Sequence, residues 1–175
     1  MEQWFGPSVS SAEKMSTTVG ALSCDVNSGI DFVLEGHQYT CEILSEPDNR
    51  YAIAQAVALL VEARQAAIFG IGASGILADY TARLFSRVGL PAVALNRTGI
   101  GLAEQLVSLQ RGDVLVMMAQ KSAHREGLTT LKETKRLGIP TILLTNALDS
   151  RLRKEARTEE RRGGKEGRVR WPPER

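Results

Sequence analysis

Cysteine and histidine are both scarce in this chain of 175 residues, which contains two of each. Cys24 and Cys41 are separated by far more than the two residues of a CxxC zinc or redox site. They are therefore expected to be free, buried thiols without a disulfide. The histidines, His37 and His124, are too far apart to suggest a cluster of metal ligands, so we expect no metal site.

Long apolar segments are also absent. No stretch of the sequence approaches the roughly 18 to 20 apolar residues that a membrane-spanning helix requires. Residues 1–7 lack the basic patch and following apolar segment of a secretory signal. We therefore expect a cytoplasmic protein without a membrane partner.

Surplus positive charge is confined to the end of the chain. Residues 157–175 contain seven Lys/Arg and four Glu, a net charge of +3. Since the whole chain has a net charge of +2, residues 1–156 have a net charge of −1. The body thus lacks the basic surplus typical of nucleic-acid binding. The last residues have no apolar periodicity and resemble the translated read-through of a sequencing adapter; a basic nucleic-acid-binding tail is the alternative. We predict a non-native or disordered tail over 157–175.

The first part of the chain has little regular pattern. Residues 1–16 are polar and aperiodic, and residues 23–44 show a weak helical pattern interrupted near Gly29 and at Gly36. We therefore assign residues 1–44 to a flexible lead-in and linker helix. A clearer helix follows, with an apolar face at a period of 3.6 residues formed by Ile53, Val57, Leu60 and Val61.

From residue 66 onward, apolar segments of strand length alternate with helical patterns. Strands are predicted over residues 66–71, 91–95, 113–118 and 140–145. The helix after the first strand has an apolar face made of Ile76, Leu77, Tyr80, Leu84 and Val88. Strands separated by helices of this length favour right-handed crossovers. The sequence therefore predicts an α/β fold, a three-layer sandwich around a parallel sheet.

A glycine-rich loop joins the first strand to this helix. Residues 70–75 read Gly-Ile-Gly-Ala-Ser-Gly, so the backbone can turn sharply and a ligand can approach the main chain. The N–H groups and the dipole at a helix start favour an anion. Gly72, Ala73, Ser74 and Gly75 are therefore the first candidate ligand-binding residues.

The same loop matches the G-x-G-x-x-G pattern of dinucleotide sites. Such sites hold the ribose with an acidic residue at the end of the second strand, where this chain has Asn96 followed by Arg97. A carboxylate is absent, although Arg97 could meet the 2′-phosphate of NADP. A third interpretation is that the glycines only permit close packing of strand and helix.

Residues 68–78 and 83–91 resemble the start of a sugar isomerase (SIS) domain, and are most similar to the sensor half of MurR/RpiR-type transcriptional regulators. The resemblance covers residues 45–156 and implies a flavodoxin-like fold that forms a homodimer and binds a phosphorylated sugar or amino sugar without a cofactor. It also implies that Ser74 contacts the ligand. Within this interpretation the domain is truncated at its C-terminus, and the helix-turn-helix that contacts DNA is missing from the chain.

The chain departs from the family after the third strand. The family's second phosphate loop, S-x-S-G-x-T-x-E, is replaced over residues 119–126, where only Glu126 matches. Lys121, Ser122, His124 and Arg125 are candidates for anion contacts in its place; solvated residues on a degenerate loop are the alternative. Two weaker candidates follow the fourth strand, namely Asn146 and Ser150.

The resemblance therefore implies a phosphosugar-binding sensor domain of an RpiR-type DNA-binding regulator. No acid–base pair can be assembled from the spacing, so no catalytic residue is assigned and enzymatic activity is not expected. A phosphosugar isomerase is the alternative, and an NADP-binding oxidoreductase ranks below it.

Overall fold

Two compact units make up the chain, Met1–Glu46 with Pro172–Arg175 and Pro47–Trp171. The computed structural model describes residues 16, 19, 20, 26–118, 124–145 and 168–170. In the first unit it describes α1 (Val26–Ser45). The elements of the second unit are, in chain order, α2 (Pro47–Val61), β1 (Ala66–Phe69), α3 (Ala73–Arg87), β2 (Ala92–Leu95), α4 (Gly99–Val107), β3 (Val114–Met118), α5 (Arg125–Leu137), β4 (Thr141–Thr145) and β5 (Arg168–Arg170).

All strands pair in parallel, in the order β2-β1-β3-β4-β5. Ala66 of β1 is in register with Ala92 on one side and with Val114 on the other. This order is that of flavodoxin-like sheets, in which ligands bind outside the carboxyl ends of the strands, where the strand order reverses between β1 and β3. The predicted α/β fold and the four predicted strands are confirmed.

Two apolar clusters lie on opposite faces of the sheet. One joins the strands to helices α4 and α5, through Phe69, Leu102, Leu106, Met117 and Leu131. The other joins them to α2 and α3, through Ala56, Ile68, Ala78, Ala82 and Val116. The sheet is therefore the middle of three layers, as predicted, and its carboxyl edge is where the helices α3, α4 and α5 begin.

The apolar face predicted for α3 does not face the sheet. Its buried residues are Gly75, Ala78 and Ala82, whereas the predicted large side chains, Ile76, Leu77, Tyr80, Leu84 and Val88, are all exposed. The helix packs on the sheet through its small residues, because they let it lie closer to the strands. In α2 likewise, Ala56 is buried while Val57 and Val61 are exposed.

Helix α1 is continuous through both glycines that were predicted to interrupt it. Hydrogen bonds between residues four apart accompany it, including Thr40 Oγ1 to the Gly36 carbonyl at 2.8 Å. None of its residues is buried, so the prediction of a buried thiol is wrong for Cys41, which is exposed; Cys24 lies outside the described residues. None of the described helices is long and apolar enough to cross a bilayer.

A buried ion pair joins the amino ends of β1 and β3. The side chain of Asp113 is fully buried, and its Oδ1 lies 2.7 Å from Nη2 of Arg64, whose side chain is 44% exposed. Arg64 also donates a hydrogen bond to Oδ2 at 2.9 Å, and the Gln110 N–H donates another to the same oxygen. Two chain segments that precede neighbouring strands are therefore held together at the edge opposite the candidate site.

The strand β5 lies inside the segment predicted to be a disordered tail. Its backbone pairs with β4, with Leu143 in register with Arg168. The structure thus differs from the prediction at these three residues, because strand pairing uses backbone groups and needs no apolar periodicity. The rest of residues 157–175 lies outside the described residues.

Candidate functional site

The three glycines of the loop between β1 and α3 have different tasks. A side chain on Gly70 would overlap the carbonyl group of Ser74, and one on Gly75 would lie 3.2 Å from the carbonyl oxygen of Gly70. These two glycines therefore permit close packing of strand and helix. Gly72 instead has φ 65° and ψ −128°, is exposed, and has open space where a side chain would project. Its backbone is the part of the loop that a ligand can approach.

The start of α3 has unused hydrogen-bond donors. Gly72 is the N-cap residue and provides no side chain to cap the helix, so the N–H groups of Ala73 and Ser74 have no partner within the helix. The Gly75 N–H donates to the Gly72 carbonyl at 2.9 Å, and Gly75 is buried. Ser74 is half-buried, and no hydrogen bond between described residues occupies its hydroxyl. Among the predicted residues of this loop, Gly72, Ala73 and Ser74 are accessible at the helix start, whereas Gly75 is buried.

A polar network occupies the end of β2. The Asn96 side-chain amide donates to Oδ2 of Asp79 at 2.6 Å. Gln105 of α4 donates to the Ala94 carbonyl at 2.9 Å and, at 3.4 Å, to Oδ1 of Asn96. Its own Oε1 accepts from the Arg97 N–H. Sequence reasoning missed this network because Asp79 and Gln105 come from two helices that only the fold brings to Asn96.

The network bears on the dinucleotide interpretation. Asp79 places a carboxylate beside the end of β2, where the sequence shows none, but this carboxylate already accepts a hydrogen bond from Asn96. The Arg97 guanidinium lies 4.0 Å from Glu104, and both side chains are largely exposed. The polar groups at this place therefore bind one another, which does not favour a ribose site.

Two residues of the second predicted set lie at the start of α5. His124 is its N-cap residue, is exposed, and makes no capping hydrogen bond through its side chain. Arg125 is the first helical residue and is exposed. Lys121 and Ser122 lie outside the described residues, as do Asn146 and Ser150. The structure therefore places two of the four loop candidates, both at a helix start on the carboxyl edge of the sheet.

A cavity of about 450 Å³ opens between α4 and α5. Its walls include Gly99 and Ile100 at the start of α4 and Arg125 and Glu126 at the start of α5. Gly127, in the first turn of α5, is close to the Phe69 ring, which ties that helix to the end of β1. The cavity has the size of a small-molecule site. It shares Arg125 with the predicted residues but is not lined by the glycine loop.

Among the described residues, no three His, Cys, Asp or Glu side chains are grouped so that they could hold a metal ion.

Solved structures of two kinds share this fold. The sugar isomerase domain of an RpiR transcription factor from Sphaerobacter thermophilus has a TM-score of 0.65 at 19% identity, over 83% of this chain and 75% of that one. The Vibrio vulnificus NanR protein complexed with ManNAc-6P has a TM-score of 0.63 at 21% identity, over 91% of this chain and 56% of NanR. The phosphoheptose isomerase of Neisseria gonorrhoeae has a TM-score of 0.63 at 20% identity, over 86% of each chain.

The sequence comparisons confirm the resemblance. An uncharacterized HTH-type transcriptional regulator from Caldanaerobacter subterraneus subsp. tengcongensis is 33% identical over 108 residues, which are 62% of this chain and 38% of the regulator. The chain thus spans less than half the length of this curated relative. The family model of the SIS domain matches residues 59–161. With the flavodoxin-like sheet and the open glycine loop, this match shows that the chain belongs to the SIS-domain family.

Proposed function

We propose that this SIS domain binds a phosphorylated sugar or amino sugar, and that it is the sensor of an RpiR-type DNA-binding transcriptional regulator. The open start of α3 carries the proposal. Gly72 exposes its backbone, and the N–H groups of Ala73 and Ser74 lie with the Ser74 hydroxyl at the positive end of a helix. A phosphate monoester suits this arrangement because its oxygens accept several hydrogen bonds at once.

The nature of the ligand is supported by what the structural neighbours bind or act on. NanR is complexed with an N-acetylated amino-sugar 6-phosphate, ManNAc-6P, and the Neisseria enzyme is a phosphoheptose isomerase. The regulatory role is supported by the RpiR neighbour and by the HTH-type relative. DNA binding in this proposal belongs to the whole regulator.

A second group of anion contacts is proposed at the start of α5. Arg125 lines the 450 Å³ cavity, and a guanidinium forms stronger, charge-assisted hydrogen bonds with phosphate than a hydroxyl does. Lys121, Ser122 and His124 of the preceding segment complete the proposed set. The homodimer would act by linkage, because a ligand that binds one dimer geometry more tightly shifts the population toward it.

A phosphosugar isomerase is the second candidate function. The neighbour from Neisseria gonorrhoeae favours it, and His124 is an exposed histidine at a helix start on the carboxyl edge of the sheet. However, no hydrogen bond between described residues joins His124 to a carboxylate that would orient it as a base. We therefore propose a sensor without catalytic activity.

A thermal-shift experiment tests the ligand class. A panel of sugar phosphates, with N-acetylated amino-sugar 6-phosphates among them, is compared with NAD and NADP. A ligand at 100 times its dissociation constant stabilises the folded state by about 2.7 kcal/mol, which raises the Tm of a chain of this size by roughly 5–10 °C. We expect at least one sugar phosphate to do so and neither dinucleotide.

The Ser74→Ala variant then locates the site. Loss of a hydrogen bond to a charged group costs about 1.5–3 kcal/mol, so the Kd should rise roughly 10- to 150-fold. Ser86→Ala is the matched control, since Ser86 is on the same helix and bonds the Ala82 carbonyl. If NADP raises the Tm and no sugar phosphate does, the proposal is wrong and the dinucleotide interpretation takes its place. Interconversion of aldose and ketose phosphates, followed by NMR, would establish the isomerase instead.

A further inference from the structure

Asn96, the residue that follows β2, lies directly against the first turn of α3. A side chain on Gly75 would come 3.4 Å from Cβ of Asn96 and 3.2 Å from the carbonyl oxygen of Gly70. Because Gly75 has no side chain, Asn96 packs on the backbone of this turn, to which the N–H groups of Ala73 and Ser74 belong. A shift of Asn96 therefore displaces these donors, since closely packed atoms leave no space to absorb it.

Both ends of the Asn96 amide are held by hydrogen bonds. Its nitrogen donates to Oδ2 of Asp79 at 2.6 Å, and its oxygen accepts from Gln105 at 3.4 Å. Asp79 is four residues beyond Gly75 and so lies on the same side of α3, one turn from the glycine loop. The bond to its carboxylate is charge-assisted and therefore strong. The orientation of Asn96 is thus fixed from α3 on one side and from α4 on the other.

Gln105 is itself bound to the backbone on either side of Asn96. Its side-chain nitrogen donates to the Ala94 carbonyl at 2.9 Å, and its Oε1 accepts from the Arg97 N–H at 3.1 Å. These two bonds hold the segment that leads from β2 into α4. The first residue of that helix, Gly99, lines the cavity between α4 and α5. The network therefore connects the start of α3 to a wall of the cavity.

The start of α3 has few other side-chain contacts that could hold it in place. Among the described residues, one side-chain hydrogen bond joins residues 73–80 of this helix to another element, that between Asp79 and Asn96. The N-cap residue, Gly72, has no side chain to cap the helix. Asp79 is exposed and Asn96 is half-buried, so loss of their bond should change the stability of the fold little. Its effect is expected in the geometry of the loop instead.

We propose that Asp79, Asn96 and Gln105 are positioning residues of the sugar-phosphate site. They do not touch the ligand, but they hold the donors at the start of α3 at a fixed distance from the start of α4. Binding groups must be held within about 0.5 Å of their productive positions. Replacing residues that orient the direct contacts of a metal site lowers its affinity roughly 10- to 100-fold. The inference rests on the proposed function, because it concerns the affinity of the same site.

Removing the Asp79 carboxylate has opposite effects under positioning and under electrostatics alone. A carboxylate near an anion site repels the anion, so electrostatics alone predicts tighter binding in Asp79→Ala. Positioning predicts weaker binding, with the Kd raised about tenfold. Asp79→Asn loses the same charge but keeps an oxygen that accepts from Asn96, so its Kd should not rise. Glu104→Ala is the matched control, because Glu104 is an exposed carboxylate of α4 outside the network; its Kd should not rise either.

Isothermal titration calorimetry on the full chain measures these affinities, with ManNAc-6P and inorganic phosphate as the probes. Urea unfolding checks that the variants are as stable as the parent chain. Amide hydrogen exchange over residues 70–80 gives a readout without any probe, because a loop that is held less firmly exchanges faster. We expect faster exchange in Asp79→Ala than in the parent chain, and no change in Asp79→Asn. Asn96→Ala breaks the same bond from the other side and should reproduce the rise in Kd.

The contradicting outcomes separate this inference from the proposed function. If the parent chain binds a probe and Asp79→Ala binds it equally well or more tightly, the inference is wrong and the proposed function stands. Faster exchange over residues 70–80 without a rise in Kd would also overturn the inference, because the network would then support the fold and not the site. A parent chain that binds neither probe would count against the proposed function and this inference together.

Discussion

Removing Arg64 should destabilise the fold more than neutralising its partner Asp113. In Arg64→Met the fully buried carboxylate of Asp113 loses the cation 2.7 Å away. Breaking a buried pair costs about 3–5 kcal/mol, and since the Arg64 side chain is 44% exposed, the lower end of about 3 kcal/mol applies. Asp113→Asn retains an acceptor for the Gln110 N–H and leaves Arg64 in contact with water. It should cost about 1–1.5 kcal/mol.

Urea unfolding measures both costs, with an unchanged slope indicating that only stability has changed. In a thermal scan, Arg64→Met should lower the Tm by roughly 6–12 °C and Asp113→Asn by roughly 2–6 °C. Arg97→Met is the control, because Arg97 and Glu104 form a surface pair at 4.0 Å that should contribute little. Equal midpoints for Arg64→Met and Arg97→Met would refute the reasoning, and so would a larger loss in Asp113→Asn than in Arg64→Met.

Two further predictions concern single residues. Gly70→Ala forces a side chain against the Ser74 carbonyl and should lower the free energy of unfolding in urea by about 3 kcal/mol. Gly36→Ala is the control: Gly36 has open space around it, so this variant should be neutral or stabilising. Equal effects of the two variants would contradict the packing argument. The hydrogen bond from Arg136 lowers the pKa of Glu133 in the folded state. The pair therefore stabilises the fold at any pH above the pKa that Glu133 has in the unfolded chain. This stabilisation is lost as the pH falls through the lower pKa of the folded state. Arg136→Gln should therefore lower the Tm slightly at neutral pH and not at all below that value; a Tm difference that persists in acid would exclude this origin.

Local pattern was sufficient for the framework of the fold. The apolar segments that become β1 to β4 are short and bounded by loop residues. The glycine loop is a local feature as well, since its turn and its position at a helix start follow from neighbouring residues. Once the strand order is known, the handedness of the crossovers fixes which face of the sheet each helix covers.

Local pattern could not predict which side of each helix packs against the sheet. For α3 the sequence offers two faces, one with large apolar side chains and one with Gly75, Ala78 and Ala82, and apolar periodicity favours the first. The sheet instead packs against the small residues, because a helix crossing close to a sheet has room only for them. Exposure of Tyr80 and Val88 is consequently a property of the packed structure.

The sequence by itself determined the parallel α/β fold, the position of the glycine loop and the SIS family, because each depends on residues that are neighbours in the chain. Tertiary structure decided which glycine stays open to a ligand, since only the packing of β1 against α3 separates Gly72 from Gly70 and Gly75. It also decided that Asn96 meets Asp79 and Gln105. Contacts of this kind join residues from different elements, and no local pattern encodes the distance between them.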